Sequence, residues 1–151
     1  MKDMYWSHLP HHVAGSEFQN AKPEDNNKIE TKSNRIYYYC EVSRGRNLTL
    51  NMKLKELAGD LLDRGRALQV DPGKIYLHIN SYGGSVFAGF SSVDYILNSE
   101  VPVTSIIDGC AASAATIMSV VAKERLMHEH AFMLIHQLSS GMWGKFEDMK
   151  D

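Results

Sequence analysis

One serine stands out because the side chains around it are too small to shield its hydroxyl. Ser113 lies in residues 109–115, GCAASAA, and His136 ends an apolar run in residues 133–137, MLIHQ. A serine hydroxyl is a weak nucleophile until a nearby base takes its proton, and imidazole is well suited to that task near neutral pH. The two residues therefore predict nucleophilic catalysis at a site that a substrate backbone can approach closely.

Two adjacent glycines, Gly83 and Gly84, leave backbone N–H groups unshielded just after an apolar run. Such donors suit an oxyanion hole, which stabilises negative charge as it develops on a carbonyl oxygen. The N–H of Ala114, directly after Ser113, is the natural second donor, and a helix N-terminus there would add positive potential.

Each of these groups alone also has a purely structural explanation. The glycines fit a strand-to-helix turn that needs positive φ, Ser113 fits a helix start, and His136 fits a buried core histidine. Their occurrence in order, each after a predicted strand, favours catalysis. Cys110, placed in the turn, and the loop serines at positions 139 and 140 are weaker candidate nucleophiles.

The elements that must position these groups are alternating strands and helices. Apolar periodicity and turn residues predict strands at 35–42, 75–80, 104–107, 125–127 and 132–136, and helices at 48–68, 86–97 and 112–121. This alternation predicts an α/β fold with a mixed, mainly parallel sheet. Ligands collect beyond the carboxyl ends of parallel strands, so the candidate groups are expected at one sheet edge.

Composition predicts one globular domain at residues 34–151, preceded by a polar, mobile arm at residues 1–33. The chain has 151 residues, 44% of them hydrophobic, with a net charge of −2 and no basic patch, which argues against nucleic acid as a partner. No signal peptide or membrane span is expected, and two unpaired cysteines fit the cytoplasm. Three arm histidines, at positions 8, 11 and 12, lack a second ligand set, so no metal site is expected.

Three motifs carry a resemblance to a known family: residues 75–86, IYLHINSYGGSV, residues 109–113, GCAAS, and residues 133–137, MLIHQ. In these motifs, and from about residue 34 to 151, the chain resembles the ClpP family of self-compartmentalised serine peptidases. The resemblance implies a ClpP/crotonase-like ββα spiral. It further implies Ser113 as nucleophile, His136 as general base, and the backbone of Gly84 and Ala114 as oxyanion hole.

The resemblance also implies how substrate and partners are bound. Residues Gly83, Ser85, Val86, Gln137 and Leu138 would contact an unfolded polypeptide that adds as a β-strand. The subunits would form a homo-oligomeric ring, a heptamer or tetradecamer, without a cofactor. The chain has no phosphate-binding loop, so an ATP-driven AAA+ unfoldase of the Clp type is the expected partner.

The chain departs from the family pattern at several positions. Tyr82 and Leu138 stand where the family usually has proline. The family's acidic triad member lies roughly fifty residues beyond the histidine, so the resemblance implies a C-terminally truncated chain. Asp148 and Asp151 are too close to His136 to match that acid, and without it the chain is expected to be poorly active.

Two other classes of function compete with the peptidase. One is a non-catalytic ring subunit, or a phage-type capsid maturation protein, built on the same fold. The other is a crotonase-like acyl-CoA enzyme, which shares the spiral and a glycine-backed oxyanion hole but normally relies on carboxylates. The serine–histidine pair argues against the acyl-CoA enzyme and against a non-catalytic subunit, whereas the missing acid argues for the non-catalytic subunit. The phage-type capsid maturation protein stays open as an alternative.

Overall fold

The computed structural model describes residues 29–137, which form one sheet and three helices. The strands are β1 (Ile29–Lys32), β2 (Arg35–Tyr38), β3 (Ile75–Ser81), β4 (Val103–Ala112), β5 (Glu124–Met127) and β6 (Phe132–Leu134). The helices are α1 (Arg44–Leu68), α2 (Val86–Leu97) and α3 (Ala114–Val120).

The sheet is mixed and mainly parallel, as the sequence predicts. Its order is β1-β2-β3-β4-β5, and β6 also pairs with β4. The β1–β2 pair is antiparallel, whereas β2–β3, β3–β4, β4–β5 and β4–β6 are parallel. Helices α1, α2 and α3 each connect two neighbouring parallel strands, the arrangement expected of βαβ units.

The core lies between the sheet and the helices. Alternate residues of β2 are fully buried, and the apolar positions of β3 pack with those of the helices. The largest fully buried apolar side chains include Tyr38, Ile36, Leu50, Leu54, Ile75, Leu77, Ile79 and Met118. The hydroxyl of Tyr38 donates to Asn47 Oδ1 at 2.7 Å, and Asn47 Nδ2 donates to Ser92 Oγ at 2.8 Å, so these three buried side chains of β2, α1 and α2 satisfy each other.

Several predicted boundaries of helices and strands are wrong by four or more residues. Helix α1 begins at Arg44, not at residue 48, because the chain turns after Ser43, whose carbonyl accepts the N–H of Asn47 at 2.9 Å. Strand β2 ends at Tyr38, not at residue 42, although Val42 still makes a parallel bridge to Gly84. Strand β4 continues to Ala112, not only to residue 107.

The predicted mobile arm at residues 1–33 also needs correction at its end. Strand β1 occupies Ile29–Lys32 and pairs with β2, and the Ile29 side chain is buried in the core. Residues 1–28 of the predicted arm lie outside the described residues. Within residues 29–137, no helix is both long enough and apolar enough to cross a bilayer.

Candidate active site

Ser113 occupies a sharp turn between strand β4 and helix α3. Its backbone has φ 53° and ψ −125°, a conformation that costs a non-glycine residue about 1–3 kcal/mol. Its N–H donates to the Leu134 carbonyl at 2.9 Å, and its carbonyl accepts the Thr116 hydroxyl at 2.6 Å. A strand-to-helix turn of this kind presents a nucleophilic side chain above the end of the sheet.

The side chain of Ser113 is free to react. It is half-buried, and the hydroxyl makes no hydrogen bond to any residue in the range 29–137. The predicted buried helix exists as α3, with mostly buried residues and Ser113 at its N-terminus, but it spans Ala114–Val120 and not residues 112–121, because Ala112 still belongs to β4.

His136 reaches the same place because β6 pairs with the end of β4. Ala112 lies opposite Leu134 in this parallel register, and His136 follows two residues later. Ser113 and His136 line one cavity of about 310 Å³. The ends of β4 and β6 therefore bring these two residues to one edge of the sheet, as expected from the sequence.

The hydrogen bonds of His136 define its tautomer. Its Nδ1 lies 2.7 Å from the carbonyl oxygen of Gln137. A carbonyl only accepts, so Nδ1 carries the proton, and neutral imidazole then has its lone pair on Nε2. A free Nε2 lone pair is what a general base needs. No side-chain carboxylate between residues 29 and 137 contacts His136, and the Ser113 hydroxyl is not hydrogen-bonded to it in this structure.

The glycine pair packs directly against Ser113. A Cβ added to Gly83 would lie 2.6 Å from the Ala112 carbonyl oxygen and 2.7 Å from Ser113 Cβ. At Gly84, an added Cβ would lie 2.3 Å from the Val42 carbonyl oxygen. Both glycines also have positive φ, 95° and 143°. The close approach and the backbone conformation each require glycine here.

The backbone N–H groups of Gly84 and Ala114, which lie at this turn, donate to no acceptor among residues 29–137. The loop is held instead through Val42, whose N–H donates to Gly83 and whose carbonyl accepts from Ser85, both at 2.8 Å. The hypothetical Gly83 Cβ lies 3.2 Å from Ala114 N, so the glycine loop adjoins the second donor. Unpaired donors beside a nucleophile can stabilise an oxyanion.

The walls of the cavity beside Ser113 are mainly apolar. Val86, Phe90, Ile117 and Ile135 line it, together with Ala114 and Thr116. The Thr116 hydroxyl is already hydrogen-bonded to the Ser113 carbonyl, so it offers no donor to a ligand. Such a cavity fits an apolar side chain. The apolar positions that predict helix α2 include Phe90, but the structure leaves its side chain 50% exposed beside this cavity, and the periodicity gave no signal for that place.

The predicted substrate-contacting residues have different environments. Ser85 Oγ accepts the N–H of Ala88 at 3.3 Å, so it caps helix α2. Val86 is half-buried in the cavity wall, whereas Gln137 is exposed. Leu138 lies outside the described residues, as do Ser139 and Ser140.

The prediction that Cys110 lies in a turn is wrong. Cys110 belongs to strand β4 and is buried. Burial raises the pKa of its thiol, which disfavours the reactive thiolate. Among residues 29–137, no group of three or more histidine, cysteine or acidic side chains could hold a metal ion. The three arm histidines lie outside this range.

Comparisons with known proteins agree on one family. The family model described as Clp protease matches residues 32–151. The ATP-dependent Clp protease proteolytic subunit 1 of Chlamydia pneumoniae is 45% identical over 74 residues, which cover 47% of this chain and 39% of that protein. The protein of the same name from Protochlamydia amoebophila is 36% identical over 106 residues, covering 60% and 52%. The chain thus spans about half or less of the length of these relatives.

The solved structure of a ClpP1 mutant from Listeria monocytogenes has the same fold. It superimposes with a TM-score of 0.62 and 23% sequence identity, over 72% of this chain and 58% of that one. The predicted ClpP-like α/β fold is therefore confirmed.

Proposed function

Because this chain belongs to the Clp protease family, we propose that it is a serine endopeptidase subunit that hydrolyses unfolded polypeptides. The observation that carries the proposal is the shared cavity of Ser113 and His136, which lies beside two unpaired backbone donors. The strained turn at Ser113 and the glycines packed against it place all four groups at one end of the sheet.

The reaction begins when His136 Nε2 takes the proton of the Ser113 hydroxyl. Ser113 Oγ then attacks the peptide carbonyl carbon, and the N–H groups of Gly84 and Ala114 stabilise the oxyanion that forms. Protonated His136 gives its proton to the leaving amine, which produces an acyl-enzyme. Water, activated by His136, attacks the ester and restores the Ser113 hydroxyl.

This mechanism requires the His136 ring to turn its Nε2 toward Ser113 Oγ when substrate binds. The bond from Nδ1 to the Gln137 carbonyl supplies part of the orientation that a triad acid normally gives. A carbonyl carries no full charge, so it stabilises the imidazolium less than a carboxylate does. We expect slow turnover, with acylation still measurable by a reactive probe.

Substrate would bind as an added β-strand beside Gly84, Ser85 and Val86 on one side and Gln137 and Leu138 on the other. Its apolar side chain before the scissile bond would enter the cavity formed by Phe90 and its neighbours. A bare glycine backbone leaves room for that strand.

Assembly into a homo-oligomeric ring, a heptamer or tetradecamer, belongs to the same proposal. Strand β5 has all four residues exposed, including Leu126 and Met127, and Phe132 and Leu134 of β6 are exposed as well. Apolar side chains on edge strands favour association. An AAA+ unfoldase of the Clp type would deliver unfolded chains to the ring, since this sequence has no phosphate-binding loop.

The proposal is tested by hydrolysis of a short fluorogenic peptide with an apolar residue before the scissile bond. Ser113→Ala should abolish hydrolysis, and His136→Ala should lower it by about 10²–10⁴-fold. Ser139→Ala, at a competing serine, is the matched control and should leave the rate unchanged. A stable folded substrate should be cut only when a Clp unfoldase and ATP are added.

Two results would contradict the proposal. Hydrolysis that survives Ser113→Ala would assign the chemistry to another residue. A folded, oligomeric chain that neither cleaves the peptide nor reacts with a serine probe would favour the non-catalytic ring subunit.

A further inference from the structure

Strand β4 carries a bulge just before the candidate nucleophile. In its register with β3, Ile107 lies opposite Ile79 and Ala111 lies opposite Ser81. One β3 residue, Asn80, therefore faces three β4 residues at positions 108–110. Bulges bend a strand and redirect the side chains that follow, and they are frequent next to active sites.

The bulge is also the point at which β4 changes partner. Residues Thr104 to Ile107 pair with β5, whereas Cys110 to Ala112 pair with β6. Both candidate catalytic residues lie just beyond the β4–β6 pairing, since Ser113 comes directly after β4 and His136 two residues after β6. The geometry of the bulge therefore sets where Ser113 and His136 lie relative to the rest of the sheet.

The first residue of the bulge, Asp108, is fixed by three neighbouring side chains. His78 Nδ1 on β3 lies 2.9 Å from both carboxylate oxygens, and His128 Nε2, just after β5, lies 3.2 Å from Oδ1. The Tyr39 hydroxyl, just after β2, donates to Oδ2. The Asp108 side chain is only 12% exposed, so its hydrogen bonds to His78 and Tyr39 are partly shielded from water, whereas the His128 contact is an ion-pair distance to an exposed side chain. One carboxylate thus links the bulge to segments on both sides of it.

The contact between His78 and Asp108 has a defined direction. Arg35 Nη1 lies 2.8 Å from His78 Nε2, and a guanidinium only donates, so Nε2 accepts and Nδ1–H points to Asp108. The Tyr37 ring stacks on His78 with centroids 4.6 Å apart. Because Arg35 and Tyr37 of β2 both contact the His78 ring, the ring has little freedom to move away from Asp108.

The other end of the bulge is held from β3. Asn80 Oδ1 accepts the N–H of Cys110 at 3.2 Å, which satisfies a backbone donor that the β3–β4 ladder leaves out. A Cβ on Gly109 would lie 3.1 Å from Asn80 Oδ1, so glycine leaves room for this contact. The bulge is therefore anchored at both Asp108 and Cys110.

We propose that Asp108 is a positioning residue of the Ser113 site, which acts by anchoring the β4 bulge through His78, Tyr39 and His128. It touches no reacting group, and the proposal rests on the proposed function. Without the carboxylate, the end of β4 would shift relative to the glycine loop, and Ser113 would lose its alignment with the Gly84 N–H.

The experiment measures the rate at which a fluorophosphonate probe acylates Ser113 in the 151-residue chain. Asp108→Ala should slow the limiting rate of acylation by about ten- to a hundredfold, because small misplacements at a reacting centre have effects of this size. Asp108→Asn keeps an acceptor oxygen for His78 and should retain the rate within about threefold. Asp63→Ala, at an exposed acid of α1, is the matched control and should change nothing.

A purely structural role would give a different result. If Asp108→Asn and Asp108→Ala slow acylation equally, or Asp108→Ala acylates as fast as the unaltered chain, the proposal is overturned. Should Asp108→Ala fail to fold, Tyr39→Phe removes one bond to the carboxylate and should slow acylation about two- to fivefold. An unchanged rate in Tyr39→Phe would then count against the proposal.

Hydrogen exchange separates this inference from the proposed function. If the unaltered chain reacts at no serine, the peptidase proposal fails. The positioning role is then decided by the amide of Ser113, which donates to Leu134. Its exchange should accelerate at least tenfold in Asp108→Ala and stay unchanged in Asp63→Ala. Equal exchange in both variants would overturn the anchoring role.

Discussion

The most informative single substitution in the glycine loop is Gly83→Ala. The new methyl would lie 2.6 Å from the Ala112 carbonyl oxygen and 2.7 Å from Ser113 Cβ, closer than Cβ atoms approach in real proteins. Both contacts belong to the backbone or to the first side-chain atom of the nucleophile, so no flexible side chain can give way. Either the glycine loop or the Ser113 turn must move.

The cost has two parts. A φ of 95° is unfavourable for alanine by about 1–3 kcal/mol, and forcing a methyl into a packed site costs about 1–3 kcal/mol more. We expect Gly83→Ala to lower the free energy of unfolding by about 2–6 kcal/mol. Displacement of the loop also removes the Gly84 N–H from the oxyanion, which costs about 10²–10³ in rate.

Gly59→Ala is the matched control, because nothing lies within 4 Å of a Cβ at this position in helix α1. It should stabilise the chain by about 0.5–1 kcal/mol through helix propensity. Urea unfolding followed by circular dichroism measures both effects, and acylation by a fluorophosphonate measures the rate. If Gly83→Ala unfolds within 0.5 kcal/mol of the unaltered chain and is acylated at the same rate, the close packing of the glycine loop on Ser113 is refuted.

Three further predictions test the sheet and its surroundings. Burial and the hydrogen bond to Asp108 raise the pKa of Tyr39 to about 12, so the stability that this hydrogen bond contributes is complete below pH 10 and is lost as the pH rises toward 12. Absorbance titration of the unaltered chain and of Tyr39→Phe measures the pKa of Tyr39. Ionisation of Tyr39 near pH 10 would contradict the prediction. Leu77→Ala, at a fully buried position of β3, should lower the free energy of unfolding by about 2–5 kcal/mol in urea, and a loss below 1 kcal/mol would indicate a different core. Cys40 and Cys110 are buried with raised thiol pKa values, so they should react with a disulfide reagent only after unfolding, whereas rapid reaction of the folded chain would place them at the surface.

The elements with strong apolar periodicity could be predicted from the sequence. Helix α2 begins and ends where the pattern places it, at Val86 and Leu97, and Ser85 supplies the cap. Strand β1 gave no such signal, because only Ile29 of its four residues is buried. Its place in the sheet depends on pairing with β2, a contact that composition does not encode.

The sequence predicted that Ser113 and His136 lie at one edge of the sheet, because each follows a parallel strand. It did not predict the β4 bulge that sets their positions there. Residues 104–107, TSII, gave a predicted strand that stops too early, since Asp108 and Gly109 look like a turn. The structure continues β4 through them as a bulge, whose register depends on the Asn80 side chain and on the room left at Gly109. Side-chain contacts between strands of this kind cannot be deduced from one strand's sequence.

The central claim is that Ser113 is the nucleophile, and mapping a covalent probe tests it most directly. The 151-residue chain is treated with a fluorophosphonate, digested with a second protease and sequenced by mass spectrometry. The mechanism predicts one adduct, on Ser113, that disappears in Ser113→Ala and forms far more slowly in His136→Ala. An adduct on Ser139, Ser140 or Cys110, or equal labelling of Ser113→Ala, would contradict it.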